Sequence, residues 1–283
     1  MAPDGLCHKD SGQNESGQVL MPGVNKRKKL GQHFLSDPSI ARRIAEAACA
    51  EPGAVIVEIG PGRGALTAPL LDTGAQVIAL ELDIELFEYL SKAFAGRENF
   101  RALKANALKF DYNTLPAHFH VASNLPYSVA VPIIKTLIEH KARISSMTLM
   151  TQAEVAQRLT ASAGEKGYGS LSVYVGYHCQ TSLLFTVPRT AFRPWPKVES
   201  AVIRLVPRLA PPVTVADEDA FFSMVHTAFS HRRKTIKNNL ERLFENKESL
   251  LSALEAAGVE ASARAEELTM EQFAAIYGSI PAK

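Results

Sequence analysis

At 283 residues, 46% hydrophobic and 21% charged, the chain is long enough to bury one sizeable core and a second small one. No apolar stretch approaches the roughly 18 to 20 residues of a membrane span, and the first residues lack the basic-then-apolar order of a secretory leader, so a soluble, cytosolic protein is expected. Three cysteines (Cys7, Cys49 and Cys179) lie far apart and the eight histidines are scattered, which excludes a disulfide framework and leaves no metal-ligand spacing; no metal is expected. The net charge of +2 is too small to imply a polyanionic partner by itself, but it is unevenly placed. Lys26, Arg27, Lys28 and Lys29 form an unbroken run, and residues 230 to 247 hold six Lys/Arg against two Glu. Either run alone also fits a solvated face.

In chain order, residues 1–25 are polar, contain Gly, Ser, Asn, Gln and Pro, and show no apolar periodicity, which predicts a disordered tail. Ser36, Asp37 and Pro38 open a helical pattern through Ile40, Ile44 and Ala48 that closes before Pro52 and Gly53. Ala54 to Ile59 is a short apolar run ending in Gly-Pro-Gly, the signature of a strand buried on both faces. A helical stretch through Leu66, Leu70 and Leu71 follows, then a second apolar strand over Gln76 to Glu81 and a helix from Ile84 to Phe94. Further strands are expected at 100–104, 119–123, 146–150, 183–187 and 201–206. Residues 171–180 are rich in Val and Tyr and fit either element. This alternation predicts an α/β fold, a mainly parallel sheet with helices on both faces. Beyond Val206 the texture changes: Pro207, Pro211 and Pro212 bracket a linker, and the remainder reads as helix, ending in one with a capping box from Thr269 to Gln272. The expected organisation is a tail (1–25), a ligand-binding catalytic domain (26–208) and a small all-helical domain (209–283).

Glu58-Ile59-Gly60-Pro61-Gly62-Arg63-Gly64 joins the first long strand to a helix, where missing side chains let a ligand approach the backbone. The spacing is G-x-G-x-G, not the G-x-G-x-x-G of dinucleotide folds. Glu81, 21 positions beyond Gly60, ends the next strand, where a carboxylate can accept both hydroxyl protons of a ribose; NAD and S-adenosylmethionine are served alike. Asn106 ends the strand after that, placed to meet an adenine edge, although alone it reads as a turn residue.

Asn124-Leu125-Pro126-Tyr127 follows a buried strand at the carboxyl edge, where open α/β sheets bind ligands. Alone it also fits a strand-capping turn. Beside the glycine turn and Glu81 it fits the methylation of an exocyclic adenine amine, whose lone pair is delocalised into the ring. Two acceptors holding the two amine hydrogens would orient that nitrogen and favour a tetrahedral geometry. Asn124 offers a side-chain carbonyl, Leu125 or Pro126 a main-chain carbonyl, and the ring of Tyr127 can stack on a base.

These residues, with Gly31-Gln32-His33-Phe34-Leu35, Glu81-Leu82-Asp83, the stretch Phe192 to Ser200 (FRPWPKVES) and Phe229 to Leu240 (FSHRRKTIKNNL), resemble the small-subunit (16S-type) ribosomal RNA adenine N6,N6-dimethyltransferases. That family belongs to the Rossmann-like class I methyltransferases, and the resemblance runs from about Lys28 to the C-terminus. It implies S-adenosylmethionine as cofactor, with His33 and Leu35 at its methionine end, Gly60 and Gly62 approaching it through backbone, Glu81 on the ribose and Asn106 on the adenine. It also implies that Asn124 faces both cofactor and target amine, and that Tyr127 and Phe192 pack against the two faces of the target adenine. The implied substrate is rRNA of an immature small subunit, with two adjacent adenines near its 3′ end each methylated twice, bound by a monomer. In that setting Arg232, Arg233, Lys234 and Lys237 become phosphate contacts, extended by Lys28 and Lys29. Three positions depart from the family pattern: His33 is often Asn, Asn106 is usually Asp, and Trp195 is commonly Pro, a change expected to alter loop packing only. A large-subunit rRNA methyltransferase of the antibiotic-resistance kind shares the tetrapeptide, an NAD-dependent oxidoreductase would use only the glycine turn and Glu81, and a non-catalytic ribosome-assembly factor would have no need of Asn124.

Overall fold

A computed structural model describes residues 33–48 and 51–280; the predicted tail, the run Lys26 to Lys29, Gly31, Gln32, Cys7 and Cys49 lie outside the described residues. The chain opens with a two-residue strand β1 (Phe34–Leu35) and helix α1 (Pro38–Ala47). Proline stands at its start, and the Asp37 side chain caps it by accepting from the Ser39 N–H. Two strand-helix units follow, β2 (Val55–Ile59) with α2 (Thr67–Asp72) and β3 (Gln76–Glu81) with α3 (Ile84–Ala93), and then β4 (Phe100–Lys104). β5 (Phe119–Asn124), α4 (Ala130–Glu139), β6 (Ile144–Gln152), α5 (Ala153–Thr160), α6 (Ser170–His178), β7 (Cys179–Val187), β8 (Phe192–Arg193) and β9 (Ser200–Pro207) complete this part.

Seven strands form one sheet in the order β4-β3-β2-β5-β6-β9-β7. The pairings from β4 to β6 are parallel; β9 runs antiparallel between β6 and β7. From β2 the chain winds outward to β3 and β4, then returns to lay β5 on the opposite side of β2. The order therefore reverses between β2 and β5, and the crevice this opens lies beyond their carboxyl ends. Each sheet face carries its own apolar layer. Leu125, Ile133, Ile134, Leu137 and Leu159 pack against one face, and Ile40, Ile44, Leu70 and Leu71 against the other.

The segment that fitted either element, 171–180, is mostly α6. It is buried all round, with Leu171, Val173, Val175 and Tyr177 on several faces, so it carries no polar stripe from which a helical period can be read. β7 begins four residues earlier than expected because its first half is a polar edge strand, Cys-Gln-Thr-Ser, with only one residue of the four buried. A register irregularity between Leu183 and Phe185 interrupts its pairing with β9, a common way of blunting an edge.

After β9 the chain reaches α7 (Glu218–Ala228), α8 (Ile236–Leu240), α9 (Lys247–Ala256) and α10 (Met270–Gly278), whose predicted box is present: the Gln272 N–H meets Thr269 Oγ1 and the Thr269 N–H meets Gln272 Oε1. The helical core draws Tyr168, Val173 and Tyr177 across the strand-to-helix boundary, and the Tyr177 hydroxyl donates to Glu218 (3.1 Å). The four helices thus pack on α6 and the loop before it. Among the described residues no helix is long and apolar enough to cross a membrane.

Candidate active site

A cavity of about 510 Å³ fills the crevice beyond β2 and β5. Most residues expected to meet a cofactor line it: His33, Leu35, Gly60, Gly62, Glu81, Asn106 and Asn124, together with Leu125, Pro126 and Tyr127. Gly60 and Gly62 adopt φ of +63° and +60°, the left-handed region where a side chain is strained. A Cβ on Gly62 would stand 3.2 Å from the Phe34 ring, so β1 closes directly over the glycine turn; a Cβ on Gly60 would meet the Pro126 ring at 3.8 Å. The glycine turn and the tetrapeptide therefore face each other with room for little more than a methyl group between Gly60 and Pro126. The Gly60 N–H donates to the Leu80 carbonyl (2.9 Å), tying the glycine turn to β3, and the buried Ser123 hydroxyl donates to the Ile59 carbonyl (2.6 Å), tying it to the end of β5 just before the tetrapeptide.

Glu81 is 5% exposed and anchored at both oxygens: Oε2 accepts from the Gly62 N–H (3.1 Å) and Oε1 from the Asp83 N–H (2.9 Å). Burial raises its pKa, and the main-chain donors oppose that rise. Each oxygen keeps a further acceptor position for a hydroxyl at the cavity. Asn106 turns its Oδ1 to the Leu108 N–H (3.0 Å), so its amide oxygen is already engaged locally, and it carries two N–H donors where a carboxylate would carry a second acceptor oxygen.

Around the tetrapeptide, the Leu125 N–H donates to the Met150 carbonyl (3.0 Å), bolting the turn to β6, and the Pro126 carbonyl accepts from the Val129 N–H (3.1 Å). Of the two main-chain acceptors left open by the sequence, the Pro126 carbonyl thus already accepts one hydrogen bond within its own turn. The Leu125 carbonyl takes no main-chain hydrogen bond among the described residues. Tyr127 is half-buried with its hydroxyl 2.7 Å from Ser200 Oγ, and its ring centroid lies 5.8 Å from that of His33. His33 Nδ1 donates to the Pro194 carbonyl (2.8 Å).

Phe192 is placed differently from the expectation. It is fully buried on the α1 side of the sheet and does not line the cavity. Its backbone pairs with Leu35 and that of Arg193 with Phe34, a two-stranded ribbon that walls the crevice. The pattern of alternation explains the displacement: in a strand successive side chains face opposite ways, so Phe192 enters the core while Arg193 lines the cavity.

Sequence reasoning did not single out Glu58, which also lines the cavity. It is 1% exposed, accepts from the Thr67 hydroxyl (2.6 Å), and burial pushes its pKa from 4.5 to about 8, aided by the charge of Glu81. The signal was present: an acid within an apolar run predicted to be buried on both faces has no solvent to reach.

In the helical part of the chain, Arg232, Arg233 and Lys234 are exposed on the turn between α7 and α8, and Lys237 is half-buried on α8. Arg232 approaches Glu266 at 4.0 Å. The turn is held from below by Asn239, whose Nδ2 donates to the carbonyls of Ala228 (2.7 Å) and His231 (3.3 Å). Lys28 and Lys29 lie outside the described residues.

Residues 23–281 match the family model described as ribosomal RNA adenine dimethylase. The chain belongs to this family. Among relatives of the dimethylase, ribosomal RNA small subunit methyltransferase A of Moorella thermoacetica is 44% identical over 269 residues, covering 91% of this chain and 93% of its own. The protein of the same name from Pseudomonas fluorescens is 43% identical over 250 residues, covering 87% and 90%. Solved structures of similar fold include the 23S rRNA methyltransferase ErmE (TM-score 0.71, 30% identity, 87% of this chain and 99% of that one). A dimethyladenosine transferase from Plasmodium falciparum aligns with TM-score 0.73 at 27% identity over 86% and 96%. The fold of this dimethylase is therefore that of the Rossmann-like rRNA methyltransferases, an α/β sheet carrying a helical appendage.

Proposed function

We propose that this dimethylase transfers methyl groups from S-adenosylmethionine to the N6 amine of two adjacent adenines near the 3′ end of small-subunit rRNA, while the subunit is immature. The observation that carries the reading is that the Asn124 to Tyr127 turn and the Gly60 turn line one crevice, which brings amine acceptors and a ribose-binding acid to the same cavity. The small-subunit name of the 40–44% identical relatives supports the choice of substrate.

The cavity fits the cofactor. Its 510 Å³ lies within the roughly 300–1,000 Å³ of small-molecule sites. Glu81 retains acceptor positions for two ribose hydroxyls, Gly60 and Gly62 present bare backbone, and Leu82 and Leu108, 60% and 36% exposed at the ends of β3 and β4, offer apolar faces to a purine whose edge meets Asn106. His33 and Leu35 close the methionine end. S-adenosylmethionine supplies, when bound, an activated methyl carbon on a sulfonium.

The chain's own residues supply alignment. The Asn124 amide oxygen and the Leu125 carbonyl accept the two N6 hydrogens, directing the nitrogen lone pair into the cavity, and the Tyr127 ring stacks on the base. Such positioning can contribute about 7 to 11 kcal/mol in favourable cases. A protein base is not needed for attack on an activated methyl, and N6 releases its proton to water once the bond has formed. Phe192 acts from behind the wall, supporting Leu35. Arg232, Arg233, Lys234 and Lys237 contact rRNA phosphates, with Lys28 and Lys29 extending that surface. The enzyme acts as a monomer on cytoplasmic subunits.

The test is to incubate the purified protein with radiolabelled S-adenosylmethionine and immature small subunits lacking the modification, then map label by nuclease digestion and mass spectrometry. Dimethyladenosine near the small-subunit 3′ end is expected. Label confined to large-subunit RNA would replace this reading with that of the large-subunit methyltransferases, the alternative that the likeness to a 23S rRNA enzyme keeps in view.

A further inference from the structure

Among the described residues the most exposed aromatic is Trp195, the chain's single tryptophan. It is 58% exposed, where Tyr112, Phe119, Phe192, Phe221 and Phe273 are buried. A residue that altered only loop packing, as expected from the sequence, would bury its ring. Two observations place this ring at the mouth of the crevice, and a third shows it held there. The preceding Pro194 carbonyl is held by His33, a cavity residue. Arg193, also lining the cavity, sets its guanidinium carbon 5.4 Å from the Trp195 ring centroid. Prolines 194 and 196 flank the indole, and Pro196 is buried, so the ring projects from a short anchored loop that loses little freedom on binding.

The surroundings decide what such a ring meets. Arg189, Arg193 and Lys197 are exposed on the same loop, and between residues 189 and 199 the single acid is Glu199. On this loop Val198, 45% exposed, is the other large apolar side chain open to solvent, against three exposed cations. A flat indole ringed by cations suits a nucleobase on a phosphate backbone. Trp195 is not among the cavity residues, whereas Tyr127 is.

We propose that Trp195 stacks on a nucleotide base flanking the target adenine, with Arg193 and Lys197 on the adjoining phosphates, so that the strand is pinned at the rim while the target enters the cavity. The proposal rests on the reading of the crevice as an RNA adenine methyltransferase site. It makes Trp195 a substrate-positioning residue at a place where the family pattern commonly has proline.

Two measurements test it. In steady-state methylation of immature small subunits, Trp195→Ala is expected to raise KM for RNA about tenfold with kcat at saturating subunits and cofactor affinity within twofold of wild type, and Trp195→Phe to recover most of the loss. Independently of turnover, a single-stranded oligoadenylate should quench the emission of the single tryptophan more strongly than an abasic strand of equal length. An unchanged KM in Trp195→Ala, or equal quenching by the two strands, overturns the proposal. If the wild-type protein transfers no methyl group, the functional reading fails and the quenching comparison still decides the role of Trp195.

Discussion

The crevice beyond β2 and β5 and the basic turn between α7 and α8 are built from opposite materials. In the crevice nearly every group is fixed: Gly60 and Gly62 hold left-handed backbone, Glu81 is gripped at both oxygens, Glu58 is buried beside it, and the Asn124 turn is bolted to β6. In the basic turn the charges stand in solvent on flexible stems, and only the backbone beneath them is fastened, by Asn239. The difference follows from what each region has to do. Orienting a weakly nucleophilic amine requires groups placed to within fractions of an ångström, whereas neutralising phosphates requires charge density and little else. One region therefore tolerates almost no change of geometry, and the other tolerates change as long as the charge remains.

The contrast is most easily broken at Asn124. Asn124→Ala should lower kcat for methyl transfer by roughly 10²–10³-fold while cofactor affinity, measured by calorimetry, changes far less. A loss of less than tenfold would mean that the tetrapeptide is not the aligning element. At the other pole, replacing Arg232, Arg233 and Lys234 together by Ala should weaken RNA binding roughly 10- to 100-fold. The slope of log affinity against log salt should flatten by about 2, with cofactor affinity unchanged. A loss independent of salt would point to a fold defect in the turn.

A smaller effect sharpens the comparison within the crevice. The engaged oxygen of Asn106 leaves N–H donors where a carboxylate would carry a second acceptor, so Asn106→Asp should tighten S-adenosylmethionine binding by about three- to tenfold, read by calorimetry. Unchanged or weaker binding would show that the purine edge presents an acceptor to this position.

The smallest functional effect is expected at Glu58. With its pKa near 8 in the fold against an ordinary 4.5, the folded state retains a proton that the unfolded chain releases between those values. Native stability from this group therefore falls as pH rises from about 4.5 to 8. Glu58→Gln should remove that slope in denaturant titrations of the cofactor-free protein. His178, pushed down to about 4 by burial and by Lys141, works in the opposite sense, its contribution being lost as pH falls from 6.5 toward 4, and should be untouched by the substitution.

Much of this molecule was legible before any coordinates. The apolar runs at 55–59 and 76–81 are strands because residues buried on both faces leave little polar alternation, and Gly60, Glu81 and Asn124 fall where such strands end and the chain turns into the crevice. The box at Thr269 and Gln272 was equally local. What stayed hidden depended on contacts between distant segments. Residues 171–180 were ambiguous because α6 is wrapped by the sheet and the helical unit together, and burial on all sides erases the period. Phe192 was expected in the crevice, yet pairing with Leu35, 157 positions earlier, set which face of the strand it occupies. Only the tertiary structure joined the Pro194 carbonyl to His33, 161 positions earlier, and showed that Trp195 faces solvent beside the cavity. The division has one cause: local sequence dictates backbone conformation and the ends of elements, whereas the direction a side chain faces and the partner its polar atoms find are decided by whichever remote segment packs against it.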